Sequence, residues 1–227
     1  MNWFVRALKS TIGKKLMMAL TGLFLISFLV VHLAGNLQLL AADGGEGFNR
    51  YSYFMGHNML IKIISYLLYA GILAHVIYSI ILTRTNAAAR PTKYVYGKPT
   101  ATSTWSSRNM GILGTVILVF IAVHMSNFWY RFKFGSDVPM TLVDGVEMKN
   151  YYEVVTSSFN SIALVLFYVV AMLFLAFHLS HGFSSAFQTL GLNHSKYNKL
   201  INRTGLAFAV IVPLLFAVLP VYIYLMG

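Results

Sequence analysis

The sequence predicts an all-α membrane protein, a bundle of five transmembrane helices with its N-terminus in the cytoplasm and its C-terminus outside. Three observations predict it. Hydrophobic residues make up 58% of the 227 residues and charged residues 10%, against roughly 45–50% and about 25% in a soluble globular chain. Five apolar stretches are each long enough to cross a hydrocarbon core, which takes about 20 residues. The basic residues gather on one side of the membrane those stretches imply. This composition excludes an ordinary cytosolic domain, a disordered chain and a fibrous repeat. Cysteine is absent, which excludes disulfides, thiolate metal sites and any C-x-x-C-H attachment of a cofactor.

The expected spans cover residues 15–40, 58–82, 109–130, 159–187 and 203–226, and the whole chain, 1–227, reads as one integral membrane domain. The first resembles a signal peptide in its basic start. Its apolar run is too long for a signal segment and lacks a convincing small-residue cleavage site, so it is expected to remain as a helix. The fourth would be about 40 Å long and must tilt or project from the bilayer. Pro213 and Pro220 fall inside the fifth, where membrane helices tolerate proline with a local kink. The continuous runs exclude a β-barrel, whose strands alternate apolar and polar residues over about ten positions.

Charge sets the orientation. The N-terminus carries Arg6, Lys9, Lys14 and Lys15. The connection between the second and third spans carries Arg84, Arg90, Lys93, Lys98 and Arg108, and that between the fourth and fifth carries Lys196, Lys199 and Arg203. These twelve basic residues have no acidic residue among them. The other side holds five basic residues, Arg50, Lys62, Arg131, Lys133 and Lys149, with all six acids. The positive-inside rule places the twelve in the cytoplasm. The net charge of +11 is thus read as a topology signal facing anionic lipid, and no nucleic-acid partner is expected.

No Asp or Glu lies well inside a span, which argues against a carboxylate-based pump. Histidine is the intramembrane ionisable residue, and such residues are costly and usually functional. His32 and His124 lie about 17 and about 15 residues from the starts of two outward-running helices. His75 and His178 lie about seven and about nine residues before the ends of two inward-running ones. The four fall at two depths, roughly 10–15 Å apart at 1.5 Å per residue. Two facing imidazoles at one depth can ligate a b-type haem from both sides, and two such pairs form a two-haem wire. Zinc is less apt, because each pair offers two nitrogens and no thiolate or carboxylate completes a four-ligand site.

Gly71, four residues before His75, and Gly182, four after His178, share faces with those histidines and leave room for a flat macrocycle. Gly22 and Gly114 each precede a histidine by ten residues. That rise of roughly 15 Å carries them to the depth of the other pair. His181 stands one turn from His178 and competes with it as a ligand. His57 and His194 read as interfacial or solvated.

Several short motifs, taken in order, resemble one family. They are Ser10-Thr11-Ile12-Gly13-Lys14-Lys15, Thr21-Gly22, Val31-His32-Leu33-Ala34-Gly35-Asn36, Gly45-Glu46-Gly47-Phe48-Asn49, Leu73-Ala74-His75-Val76-Ile77-Tyr78, Val123-His124-Met125-Ser126-Asn127-Phe128-Trp129 and Phe177-His178-Leu179-Ser180-His181-Gly182-Phe183. The family is the cytochrome b558-type membrane anchor of succinate:quinone oxidoreductase and quinol:fumarate reductase (complex II), in its single-chain, five-helix, two-haem form. The resemblance covers four of the five spans.

It implies that His75 and His178 hold the proximal haem and His32 and His124 the distal one. Its His-x-x-x-Gly pattern favours His178 over His181. It further implies flavoprotein and iron–sulfur subunits on the cytoplasmic side, menaquinone as the membrane substrate, a place in the tricarboxylic acid cycle and a bacterial cytoplasmic membrane. Some family members carry a glutamate on the fourth helix linked to proton return. Ala176 stands two residues before His178 here, which puts that route in doubt. This chain has no flavin or dinucleotide fingerprint and no cysteine for a cluster, so no dicarboxylate active site is expected on it.

Asn36, Gln38, Glu46 and Arg50 are the candidates for a quinone site, with donors and a carboxyl near the end of the first span. Ser27, Ser126 and Ser180 are candidate partners of the imidazoles. Trp129, Tyr130 and Tyr151 read as an aromatic belt. The competing readings are a cytochrome b subunit of a hydrogenase or formate dehydrogenase, and a transporter or channel without haem.

Overall fold

The computed structural model of the chain describes residues 2–89 and 104–226. Arg90, Lys93 and Lys98, part of the charge pattern above, lie outside the described residues. Among the described residues the chain is almost wholly helical. Helix α1 (Trp3–Lys9) turns at Ser10 into α2 (Thr11–Asn36), which ends in a 3-10 turn, Leu37–Leu40. Helix α3 (Glu46–His57) leads into α4 (Met59–Ala88). After α5 (Trp105–Arg108), α6 (Met110–His124) runs through a π-helical turn, Met125–Tyr130, into α7 (Arg131–Phe134). A hairpin of β1 (Met140–Val143) and β2 (Val146–Lys149) precedes α8 (Tyr151–Ser158), α9 (Ile162–Thr189) and α10 (Ser195–Met226).

Five helical stretches, Thr11–Leu40, Met59–Ala88, Met110–Phe134, Ile162–Thr189 and Ser195–Met226, are long and apolar enough to cross a membrane. Their apolar side chains point mostly outward. Leu73 is 63% exposed, Leu166 57% and Leu214 58%, a surface that only lipid covers at low cost. The chain is a multi-pass membrane protein.

Two boundaries differ from expectation by more than four residues. Helix α10 starts at Ser195 rather than at 203, and α4 continues to Ala88 rather than ending at 82. Lys196, Lys199, Arg203 and Arg84 therefore sit on helix ends, not in loops. Nothing breaks the helix where hydropathy falls, so the backbone pattern runs on into the polar layer. Pro213 and Pro220 lie inside α10 and are buried.

The helix starts follow local chemistry. The Ser10 hydroxyl donates to the Ala7 carbonyl at 2.6 Å and accepts from Gly13 N–H at 3.0 Å, joining α1 to α2. Asn58 accepts from Ile61 N–H at 3.2 Å to cap α4. Such caps satisfy amides that a helix start leaves open.

Helix α9 packs against α10, α2 and α6, while α4 packs against α2 and α6. Helices α2, α4, α6 and α9 thus form a four-sided ring with α2 facing α6, and α4 facing α9, across its diagonals. Against α9, α10 closes so tightly that a Cβ at Gly205 would stand 2.6 Å from Cδ1 of Phe183. Gly205→Ala should destabilise the bundle by about 1–3 kcal/mol, the usual cost of overpacking; a melting curve of the detergent-solubilised protein checks this.

One end of the bundle is covered. The fully packed core gathers there, from Leu39, Phe48, Phe128, Val138, Val154, Phe159, Tyr168 and Ile223. Helix α3, the hairpin and α8 form this cap. Asn49, 3% exposed, donates to Asn150 Oδ1 at 3.0 Å and accepts from Tyr152 N–H at 2.8 Å. It ties α3 to α8 across about a hundred residues of sequence. Before α3, the Asp43 carboxylate accepts from Gly47 and Gly45 N–H, both at 2.9 Å. Those donors hold its pKa below the usual carboxylate value. The hairpin turns on Asp144 and Gly145, both with positive φ (52° and 76°), the geometry of a two-residue Asp-Gly loop.

Candidate functional site: two histidine pairs across the diagonals

The ring of helices brings the four intramembrane histidines together two by two. His32 on α2 meets His124 on α6, with ring centroids 5.8 Å apart and planes at 86°. His75 on α4 meets His178 on α9 at 6.3 Å and 68°. Both pairs span diagonals, so each joins helices that do not pack side by side. The partners are those the depth reading predicts. Two opposed imidazoles, each with a nitrogen about 2 Å from one metal ion, have centroids about 6 Å apart. Both pairs match that separation.

His75 has a hydrogen-bond partner that fixes its orientation. The Thr21 hydroxyl donates to the Met17 carbonyl at 2.7 Å, and its oxygen lies 3.1 Å from His75 Nδ1. With its proton committed to Met17, that oxygen accepts from Nδ1–H. This tautomer leaves Nε2 with a free lone pair, as in metal-bound histidines whose second nitrogen donates to the protein. Across the diagonal, His178 Nδ1 is buried without a hydrogen-bond partner. A buried nitrogen of that kind is costly unless something binds it.

In the other pair, Asn36 Nδ2 donates to the His32 carbonyl at 2.7 Å and lies 3.4 Å from its Nδ1. His124 Nδ1 lies 3.3 Å from the Tyr168 hydroxyl. Aromatic rings wall the pair: Phe28 stacks on His32 at 5.0 Å and Phe120 on His124 at 5.6 Å.

The glycines supply space. A Cβ at Gly114 or Gly182 would meet nothing within 4 Å. One at Gly22 would meet His75 Cε1 at 3.4 Å, which places Gly22 beside the other pair, as its ten-residue offset predicts. Gly71 instead faces the Phe24 ring at 3.2 Å, because α4 packs on α2 at that point. Among the described residues the histidines meet in twos, and no group of three or more His, Asp and Glu is positioned to hold a bare metal ion. The donor sets and the space beside them fit a flat macrocyclic metal ligated from both faces.

The serines are not the imidazoles' hydrogen-bond partners. The Ser27 hydroxyl donates to the Phe24 carbonyl at 2.7 Å and Ser180 to that of Phe177 at 2.8 Å, while Ser126 faces a separate cleft. Serine on a helix reaches its own backbone more readily than a neighbouring helix. Thr21, Asn36 and Tyr168 make the contacts instead. Of these, Thr21 carries a sequence signal, since it adjoins Gly22, whose ten-residue offset from His32 places it at the depth of the other pair.

The four quinone candidates separate. Asn36 sits beside His32, and Gln38 lies half-buried in the 3-10 turn. Glu46 is exposed at the start of α3. Arg50 pairs with Asp144 at 2.6 Å, with side chains 57% and 64% exposed. A pair so exposed is worth about 0–1 kcal/mol. Of the aromatic belt, Trp129 donates to the Tyr69 hydroxyl at 2.7 Å, linking α4 to the π turn. Tyr130 is 59% exposed, and Tyr151 packs on Phe132 at 4.8 Å. His57 stacks on Tyr53, and the exposed His194 accepts from Lys196 N–H at 3.2 Å. His181 is half-buried beside His178.

No family model, curated protein or solved structure matches this chain.

Proposed function

We propose that this chain is the di-haem cytochrome b subunit of a succinate:quinone oxidoreductase or quinol:fumarate reductase. In this reading it anchors a flavoprotein and an iron–sulfur subunit to the cytoplasmic face of a bacterial membrane and links them to membrane quinone, menaquinone by the resemblance. The observation that carries it is the pairing of four intramembrane histidines, one from each side of a four-helix ring, at ring separations of 5.8 and 6.3 Å. The twelve-to-five split of basic residues supports a cytoplasmic N-terminus, with the cap and the C-terminus outside.

In this role His75 and His178 hold the haem nearer the cytoplasm, and His32 and His124 the one nearer the outside. Each bound haem supplies one-electron transfer. Thr21 holds the His75 tautomer that presents Nε2. Phe28 and Phe120 fix the other pair by stacking and keep water from it. The lipid-facing apolar wall insulates both centres.

Haem content tests the reading. The purified complex should carry two non-covalent b-type haems per copy of this chain by pyridine haemochrome assay. None would overturn it in favour of a haem-free transporter or channel. A catalytic partner found on the outer face would move it to a hydrogenase or formate dehydrogenase cytochrome b. Thr21→Val should weaken retention of the inner haem by about 10–100-fold, the usual effect of losing such a hydrogen bond; haem occupancy after dilution into detergent measures it.

A further inference from the structure

The ring of four helices is not equally tight on its four sides. Helix α9 packs against both α2 and α6, and α4 packs closely on α2, but α4 meets α6 only lightly. The side between α4 and α6 is the loosest seam of the ring. It is pinned at one height. Trp129 Nε1–H in the π turn donates to the Tyr69 hydroxyl on α4 at 2.7 Å, and the two rings stand edge to face at 5.8 Å. Tyr69 precedes His75 by six residues on an inward-running helix, so it lies about 9 Å nearer the outside. The pin therefore stands close to the level of the His32–His124 pair, one level out from His75 and His178.

Inward of the pin the wall thins. Leu73, one turn further along the Tyr69 face of α4, is 63% exposed, and Ile80, two turns beyond it, is 45% exposed. Over the same stretch α6 carries small residues. Gly111 and Thr115 are exposed, and a Cβ at Gly114 would meet nothing within 4 Å. The Thr115 hydroxyl donates to the Gly111 carbonyl of its own helix at 2.9 Å, so it ties nothing across the seam. An axial pair grips a flat macrocycle by its two faces, so the macrocycle must arrive edge-on between two helices. The seam offers that gap at the inner level, and the Trp129–Tyr69 bond bars it at the outer one.

We infer that the seam between α4 and α6 is the route by which the inner macrocycle enters from the bilayer, and that the Trp129–Tyr69 bond shuts this seam at the outer level. The inner centre is then exchangeable in the folded chain, while the outer centre is enclosed. The ligand's identity rests on the proposed function; the seam and its pin rest on packing alone.

The test places the intact complex in phospholipid nanodiscs with excess mesohaem, whose pyridine haemochrome is spectrally distinct from that of protohaem. His124→Ala isolates the inner centre and His178→Ala the outer one. Mesohaem should replace the inner haem several-fold faster than the outer. Added to these backgrounds, Tyr69→Phe and Trp129→Phe should each speed outer exchange about fivefold, the value of one lost hydrogen bond, and leave inner exchange unchanged. Tyr69→Phe keeps the ring and removes only the hydroxyl, so it reports even if Trp129→Phe fails to fold. Equal exchange at the two centres, or unaltered outer exchange in the folded variants, would overturn the inference. So would equal acceleration at both centres, because a loosened bundle rather than a seam would then set the rate. A parent complex without haem would instead overturn the proposed function. Spin labels at Leu73→Cys and Thr115→Cys, in a chain with no other cysteine, would still decide the pin: Tyr69→Phe should broaden their distance distribution, and an unchanged distribution would overturn it.

Discussion

Replacing His178 with alanine should leave one haem per chain, and replacing His181 should leave two. This is the largest single-residue effect expected. His178 faces His75 at 6.3 Å and carries a buried Nδ1 with no protein partner. In the proposed role, loss of either imidazole would remove one of two axial ligands, and among the described residues no group of three such side chains stands ready to replace it. His75→Ala should therefore give the same one-haem product as His178→Ala. His32→Ala and His124→Ala should each remove the other haem. Spectra of the two classes should be complementary, since each retains the centre the other loses. Loss of the inner haem from His181→Ala, with retention in His178→Ala, would reverse the ligand assignment.

The second large effect is on stability. Asn49→Leu should lower the melting temperature of the solubilised chain by several degrees. The substitution strands the Tyr152 N–H that Asn49 now satisfies, while Asn150 Oδ1 loses one of its two donors and keeps Glu153 N–H. Each buried polar group left unpaired costs about 1–3 kcal/mol, and a chain of this size shifts by about 2–4 °C per kcal/mol. Arg50→Ala should change the melting temperature little, because its partner Asp144 is solvated. Equal shifts for the two variants would show that Asn49 is not what fastens the cap.

The two histidine pairs were legible before any coordinates because a membrane helix has a fixed rise and a nearly fixed length. Counting residues from a span's end gives depth, and depth alone matches His32 to His124 and His75 to His178. The cap was not legible in that way. Its strongest local signal is Asp144-Gly145, a hairpin loop between two four-residue strands, too short for periodicity to mark. Asn49 acts on Asn150 and Tyr152, and no local pattern encodes a bond over that separation. Tyr168 lies in the apolar run of the fourth span, where hydropathy cannot distinguish an inward aromatic from one facing lipid. Asn127 follows His124 by three residues, yet the π turn there shifts the helical phase. A regular 3.6-residue count misplaces every side chain beyond that point. The candidate partners of the imidazoles failed for a related reason: Ser27 and Ser180 satisfy their own helices first.

The diagonal arrangement also orders assembly in time. Each of the first four spans contributes half of one pair, and a chain inserts from its N-terminus. The His32–His124 couple is complete once three spans are in the membrane. The His75–His178 couple must wait for α9, the helix that also holds α2, α6 and α10 together. A nascent chain stopped before the fourth span would thus possess one finished centre and one lone imidazole, and the last major helix to join the ring both completes the second centre and locks the first in place.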